Sequence, residues 1–247
     1  MHTMKILPAS TLLILLVATG CNRLGPWHYP TIQGSGTLVT EDRAVAGFDR
    51  VSLNGSGRLT IVQGDEESLT ITTDDNLLEH IQSAVSGRRL VIGPERVSLR
   101  PSQPIQYLLR LKDLRRLDLS GSLSATSETL TTEAIALHIS GSGNIRVGTL
   151  EAESCETHIS GSGEVELAGH VVSQDLRVSG PGQYRAADLQ SQTADVRISG
   201  SGKVTVWVSD QLDASISGSG SVSYYGTPTT SYSVSGSGKV RGLGARE

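Results

Sequence analysis

The 247-residue chain is short of aromatic side chains, with one Phe, two Trp and six Tyr. It therefore offers no outward row of aromatic platforms on which sugar rings stack. Positive charge is not in excess either, because 21 Lys and Arg stand against 25 Asp and Glu, for a net charge of −4. Since nucleic-acid binding needs a basic stripe that neutralises phosphates, we expect no nucleic-acid partner.

Motifs of catalysis and cofactor binding are also missing. No His-Glu-x-x-His or Gly-x-Ser-x-Gly segment occurs. Gly202-Lys203 and Gly238-Lys239 are each followed by Val, and no glycine lies at the upstream position of a P-loop. We therefore expect a protein that is not an enzyme and holds no cofactor and no metal.

Glycine, in contrast, is abundant, and it recurs in an Ile-Ser-Gly-Ser-Gly corner at near-constant spacing. A fixed period of this size is typical of a stacked solenoid. Ile, Val and Thr fill the segments between corners, which predicts short strands almost throughout. The first glycines of successive corners lie 18 to 20 residues apart, at Gly121, Gly141, Gly161, Gly180, Gly200, Gly218 and Gly236.

These repeats predict an all-β fold, a single-stranded right-handed parallel β-helix of about 18–20 residues per coil. Alternation along the strands points one aliphatic residue of each coil inward at the same place, so that one buried file forms. We expect regular repeats over residues 121–240 and irregular coils over residues 47–120. The predicted file contains Ile139, Ile159, Val178 and Ile198.

Two local departures from the regular coils are also predicted. Asp74-Asp75-Asn76 precedes Leu77 and Leu78, which predicts a capped helical turn within the irregular coils. At the other end, Tyr224, Tyr225 and Tyr232 are expected to close the last coil, whose core and strand edge would otherwise be open.

One natural variant of the corner bears on its geometry. Gly180-Pro181-Gly182 replaces Gly-Ser-Gly, and proline fixes its own φ near −65°. A middle residue that accepts proline, followed by glycine, is typical of a type II turn in which the second glycine takes a positive φ. The predicted structural-turn residues are Gly143, Gly163, Gly182, Gly202, Gly220 and Gly238.

The start of the chain resembles a bacterial lipoprotein leader. Lys5 precedes an apolar run over residues 12–17, and Val17-Ala18-Thr19-Gly20-Cys21 is similar to a lipobox, in which the cysteine becomes lipidated. The resemblance implies a signal peptide over residues 1–20 and a lipid anchor at Cys21 with a flexible tether over residues 21–46. Asn22 after the cysteine implies an outer-membrane destination. Cys155 is then unpaired, and its inward position favours a core residue over a nucleophile.

Charged residues recur at the outward positions before each corner. Four carboxylates lie there, followed two residues later by His158, Arg177, Arg197 or Ser215. Carboxylates stacked about 4.8 Å apart repel one another, so either the neighbouring bases or a bound cation must offset them. They would also supply the paired acids of a polysaccharide-active enzyme. The candidate cation or ligand face consists of Glu156, Asp175, Asp195 and Asp213.

His138 and His158 are one coil apart, and imidazole nitrogens are common metal ligands. No third ligand is evident in the sequence, which favours a pair of solvated histidines.

The corners, Gly47-Phe48-Asp49-Arg50-Val51, the Asp75-Asn76-Leu77-Leu78 segment and the leader together resemble the putative auto-transporter adhesin, head GIN domain family. The resemblance implies a pectin-lyase-like β-helix without established catalytic residues. We expect a non-catalytic lipoprotein that acts as an adhesion or interaction module through rigid outer faces. Its partners would be the membrane, through the lipid anchor, and an envelope or extracellular polymer or protein. The alternatives are the polysaccharide-active enzyme and a structural or signalling lipoprotein that binds another envelope protein.

Overall fold

The computed structural model describes residues 29–246 and has the predicted β-solenoid architecture. Strand makes up 74% of the described residues, and the stacked parallel coils form about six turns. The predicted signal peptide and Cys21 lie outside the described residues.

The regular part of the stack takes up slightly more than the C-terminal half of the chain. Its strands are β9 (Arg116–Thr131), β10 (Ala134–Gly141), β11 (Asn144–Gly161), β12 (Glu164–Gly180), β13 (Gln183–Gly200), β14 (Lys203–Gly218), β15 (Ser221–Tyr225), β16 (Thr229–Gly236) and β17 (Lys239–Gly242). Strands β11 to β14 each run through most of one coil and pair in parallel with the coils on either side.

Aliphatic layers fill the interior, as the alternation predicts. Ile139 pairs with Ile159, Ile159 with Val178, and Val178 with Ile198 in the strand register. Each of these side chains is at most 3% exposed. The predicted buried file is therefore confirmed, and the layers give the outer faces a rigid support.

The N-terminal part is irregular, and it mixes parallel with antiparallel pairing. Strand β3 joins it to the stack, since β3 pairs in parallel with β6, β8 and β9, whereas β4 pairs antiparallel with β2 and β8. The predicted helical turn is present as α1 (Asp75–Leu78), but Asp74 at its N-cap forms no side-chain capping hydrogen bond with the described residues. The elements are β1 (Thr31–Gln33), β2 (Leu38–Arg43), β3 (Arg50–Gln63), β4 (Ser68–Asp74), α1 (Asp75–Leu78), β5 (Ile81–Ser86), β6 (Arg89–Pro94), β7 (Ser98–Arg100) and β8 (Gln106–Leu111).

The tether prediction is wrong for the residues that form β1 and β2. Strand β1 pairs in parallel with β7, and β2 pairs antiparallel with β4. The buried Asp74 side chain anchors the link between them, because it accepts hydrogen bonds from the Gly36 N–H at 2.7 Å and from the Ser102 N–H at 2.9 Å. Gly34 and Gly36 therefore belong to the turn between two docked edge strands.

The corner geometry also differs from the predicted type II turn. The positive φ belongs to the first glycine of each corner, for example +123° at Gly141 and +114° at Gly161. The second glycine is needed for space instead, since a Cβ on Gly163 would lie 2.7 Å from Cγ2 of Ile139. The proline variant constrains only the middle residue, so it does not distinguish the two glycines.

The expected closure by three tyrosines is only partly present. Tyr224 packs against the core, but Tyr232 remains 62% exposed. The Arg246 guanidinium lies over the rings of Trp207 and Tyr225, 5.7 and 5.1 Å from their centroids. Cation–π contacts thus stabilise one side of the last coil, but the three tyrosines do not cover it.

Candidate functional site, a charged face on one sheet

Two columns of outward side chains run along the sheet segments that precede the corners. Glu156, Asp175, Asp195 and Asp213 occupy successive coils in direct register, and we call them the acidic column. The adjacent column, two residues further along each strand, contains Asp118, His138, His158, Arg177, Arg197 and Ser215. In-register parallel stacking brings equivalent residues to about 4.8 Å from one another, so both columns follow directly from the repeat.

Arginines of the adjacent column neutralise most of the acidic column. Arg177 binds Glu156 and Asp175, each with an N···O distance of 3.1 Å. Arg197 binds Asp195 at 2.6 Å and lies 3.8 Å from Asp175. The sequence offered two ways to offset the repulsion between the stacked carboxylates, and the structure shows one of them, pairing with the neighbouring bases. This pairing links the carboxylates of successive strands in one network.

The far end of the acidic column is less well neutralised. Ser215 takes the place of an arginine beside Asp213, whose carboxylate accepts a hydrogen bond of 2.7 Å from the Gln211 amide. Desolvation by burial raises the pKa of Asp195 above its ordinary value, and the charges of Asp175 and Asp213 act in the same direction against the Arg197 guanidinium. Uncompensated negative charge therefore concentrates in these last coils.

An open groove of about 420 Å³ runs beside the acidic column. Its wall includes Asp175, Asp195 and Asp213 together with Ser173 and Thr193. Cation binding in this groove stays a prediction, as does the use of these acids in catalysis. The pairing with arginine argues against both cation binding and catalysis, since three of the four carboxylates already have a positive partner.

The same face becomes basic toward the N-terminal coils. Arg50, Arg89, Arg115 and Arg116 line a second open groove, of about 390 Å³, and we call them the basic end. Arg50 lies in register with Arg89 on one side and with Arg116 on the other. Glu156 also lines this groove, so the basic end meets the acidic column there.

The four arginines of the basic end differ in how closely acidic side chains approach them. Arg116 pairs with Asp118 at 2.9 Å, and Arg115 pairs with Asp113 and Glu133. Arg50 approaches Asp49 only to 3.8 Å, and Arg89 forms no ion pair with any residue between 29 and 246. The basic end therefore keeps positive charge available for a ligand.

Sequence reasoning missed the basic end because Arg50 and Arg89 come from the irregular coils. One signal was present: Arg50-Val51-Ser52-Leu53 has the same polar and apolar alternation as Arg116-Leu117-Asp118-Leu119. The two segments are in fact paired residue by residue in the structure.

A cluster of histidines lies where the two ends of the face meet. His138 and His158 are direct cross-strand neighbours with ring centroids 5.5 Å apart and planes at 74°. The sequence suggested no third side chain beside them, but Glu156 brings a carboxylate oxygen within 4.8 Å of a nitrogen from each ring. Burial lowers the pKa of His138, and the nearby Arg116 adds to this effect.

Cys155 is confirmed as a core residue. Its side chain is 1% exposed, and burial raises the pKa of the thiol to about 12. A thiol in this environment stays protonated at neutral pH and is a poor nucleophile.

The fold and this face define a class of protein, a β-solenoid that presents charged side chains on a rigid outer sheet. A family model covers residues 47–228, and the chain belongs to the family described as putative auto-transporter adhesin, head GIN domain. Among curated proteins, none matches the chain in sequence. Within the described residues, no helix has the length and apolar character that a membrane span requires.

Three solved structures share the fold of this chain. One titled putative adhesin, from Bacteroides fragilis, is 26% identical with a TM-score of 0.80, covering 86% of this chain and 100% of its own. One titled putative lipid binding protein, from Parabacteroides distasonis, is 27% identical with a TM-score of 0.74, covering 86% and 99%. A putative adhesin from Parabacteroides merdae, at 22% identity and a TM-score of 0.67 over 87% and 99%, shows the fold alone.

Proposed function

We propose that this protein is a non-catalytic adhesion module, anchored by lipid at Cys21 to the outer membrane, that binds an anionic envelope or extracellular polymer. The basic end carries the proposal, because Arg89 has no ion pair with a described residue and Arg50 has only a long one. The names of the family and of the structural neighbours support an adhesion role rather than an enzymatic one.

The rigidity of the face suits repeated weak contacts. Arg50, Arg89 and Arg116 lie on strands whose next residues inward, Val51, Leu90 and Leu117, are all at most 1% exposed. Little backbone order is therefore lost when a ligand binds, and several arginines can contact successive anionic groups of one polymer. Guanidinium groups also match carboxylate, sulfate and phosphate in bidentate geometry.

Binding is tested with the purified chain on immobilised anionic and neutral polysaccharides. We expect retention on the anionic polymer, release by added salt, and strong loss of retention in the double variant Arg50→Gln/Arg89→Gln. Arg110→Gln is the matched control, because Arg110 is an exposed arginine on β8 with no ion pair to residues 29–246. Equal retention of the double variant would refute the assignment to the basic end.

A lipid headgroup is the second candidate ligand, favoured by the neighbour titled putative lipid binding protein. Vesicles that contain anionic phospholipid form the parallel arm of the same experiment. If the chain binds the vesicles but not the polysaccharide, the ligand of the basic-end arginines is a lipid headgroup. New reducing ends or unsaturated products in the polysaccharide arm would instead establish the enzyme alternative.

The anchor is tested separately in cells that carry out lipoprotein processing. We expect the chain to fractionate with the outer membrane, and the Cys21→Ala variant to lose both membrane attachment and acyl labelling. An unlipidated wild-type chain would show that the leader is an ordinary cleaved signal peptide.

A further inference from the structure

We infer that His138, His158 and Glu156 form a binding site for a late first-row divalent metal ion, for which Zn²⁺ is the probe of choice. The site lies on strands β10 and β11 of the charged face, where the first member of the acidic column, Glu156, meets the basic end.

The backbone places the three ligands together. His138 and His158 are paired directly across neighbouring parallel strands, and Glu156 precedes His158 by two residues on the same face. One ligand atom from each side chain lies within 4.8 Å of the other two. Tetrahedral zinc with bonds of about 2.0–2.1 Å holds its ligands roughly 3.4 Å apart, so side-chain rotations that close the gaps by up to about 1.4 Å suffice.

The hydrogen bonds of His138 leave one nitrogen for an ion. The Arg116 guanidinium lies 2.8 Å from Nδ1, whereas Nε2 is buried and has no hydrogen-bond partner among residues 29–246. In the structure the Arg116 guanidinium, which has only donors, donates to Nδ1. An ion at Nε2 moves the ring proton to Nδ1, so the contact with Arg116 breaks and Nδ1–H turns to the Asp118 Oδ1 atom, 3.4 Å away. A carboxylate behind a ligating imidazole orients the ring and strengthens the ligand.

The charges around the site favour a cation despite the two nearby arginines. Arg116 is paired with Asp118, and Arg177 bridges Glu156 and Asp175. These five groups carry one net negative charge. Arg177 contacts Oε1 of Glu156, so Oε2 is the oxygen left for the ion.

The donor set separates this site from the acidic column. Two imidazoles and one carboxylate suit Zn²⁺, Ni²⁺ or Cu²⁺, whereas a column of carboxylates alone suits Ca²⁺ or Mg²⁺. The repeat does not require histidine here, since the next two coils have Arg177 and Arg197 at the equivalent position. Three protein ligands also leave a coordination position for water or for a donor from a bound partner.

Zinc binding is measured by equilibrium dialysis and calorimetry on the full-length chain, purified in detergent without a polyhistidine tag. We expect one Zn²⁺ per chain, no competition from Mg²⁺ or Ca²⁺, and a Co²⁺ derivative with the visible absorption of a tetrahedral site. His138→Gln, His158→Gln and Glu156→Gln should each weaken zinc binding by about tenfold or more. In the wild-type chain, zinc should shift the ring resonances of His138 and His158 and leave those of His170 unchanged.

Two control variants locate the ion. His170→Gln removes an exposed histidine elsewhere on the stack, and Asp195→Asn removes a member of the acidic column; neither should change zinc affinity. Absence of binding at millimolar zinc overturns the inference, and so does a loss in Asp195→Asn that His138→Gln does not share. No polymer is present in the assay, so its outcome is independent of the proposed adhesion.

Discussion

The regular stack and the irregular first coils reach the same kind of core by different means. From β9 onward, each coil repeats the contacts of the coil before it, and its stability rests on aliphatic layers and on glycine corners. The first coils instead depend on single polar contacts, such as Asp74 with Gly36 and Ser102, or Asp49 with Arg88. A repeat distributes its stabilising interactions over many equivalent places, whereas an irregular end concentrates them in a few residues.

The largest expected effect is at a corner of the regular part. Gly161→Ala places a side chain at a φ of +114° and a Cβ 2.6 Å from the carbonyl oxygen of Gly141, so the backbone of two coils must shift. We expect a loss of about 3 kcal/mol or more in the free energy of unfolding, measured by urea denaturation.

Gly64→Ala is the matched control for the corner, because a Cβ there meets no atom within 4 Å. It should change stability by less than about 1 kcal/mol. Similar losses in both variants would show that the corners are not under special constraint.

A smaller and more local effect is expected in the irregular part. Asp74→Asn removes the charge that accepts hydrogen bonds from Gly36 and from the backbone and hydroxyl of Ser102. We expect a loss of about 2 kcal/mol. Hydrogen exchange should rise in β1, β2 and β7 and stay unchanged in β11 to β14; a uniform rise would mean that the two parts unfold as one unit.

In the wild-type chain, low pH should loosen β1, β2 and β7 in the same way as Asp74→Asn does. Burial alone would raise the pKa of Asp74, but hydrogen bonds from Ser102 and Gly36 outweigh it and lower the pKa below the ordinary 3.8. The carboxylate's contribution is therefore complete above the unfolded pKa and is lost as pH falls through the folded one. The NMR amide signals of Gly36 and Ser102 should move together below about pH 4, while those of the repeat corners stay constant.

The smallest effect is expected on the charged face. The raised pKa of Asp195 means that its ionised form is disfavoured in the folded chain, so Asp195→Asn should stabilise the protein at neutral pH. Solvent screening limits the gain to about 0.5 kcal/mol. Asp65→Asn, in an exposed loop, should give no gain; a loss in Asp195→Asn would show that its pair with Arg197 outweighs the repulsion.

Prediction from sequence succeeded where the contacts repeat. The glycine period and the alternation of Ile139 and its equivalents predicted the coils, the register and the stacked acids. It failed for β1, because Thr31 pairs with Ser98, far away in sequence and outside any period. The basic end and the third ligand at Glu156 were missed for a related reason: they depend on which strands become neighbours around β3 and on side-chain rotamers, not on spacing alone.

Because the last coil is not covered, the number of coils in such a domain can change during evolution. Strands β16 and β17 rest on β14 and β15 just as each coil rests on its predecessor, and their outer side chains are largely exposed. Duplication or deletion of one complete corner-to-corner unit would leave every remaining contact between neighbours of the same type. The length of the stack can thus be increased or decreased in whole-coil steps while the basic end on the first coils is preserved.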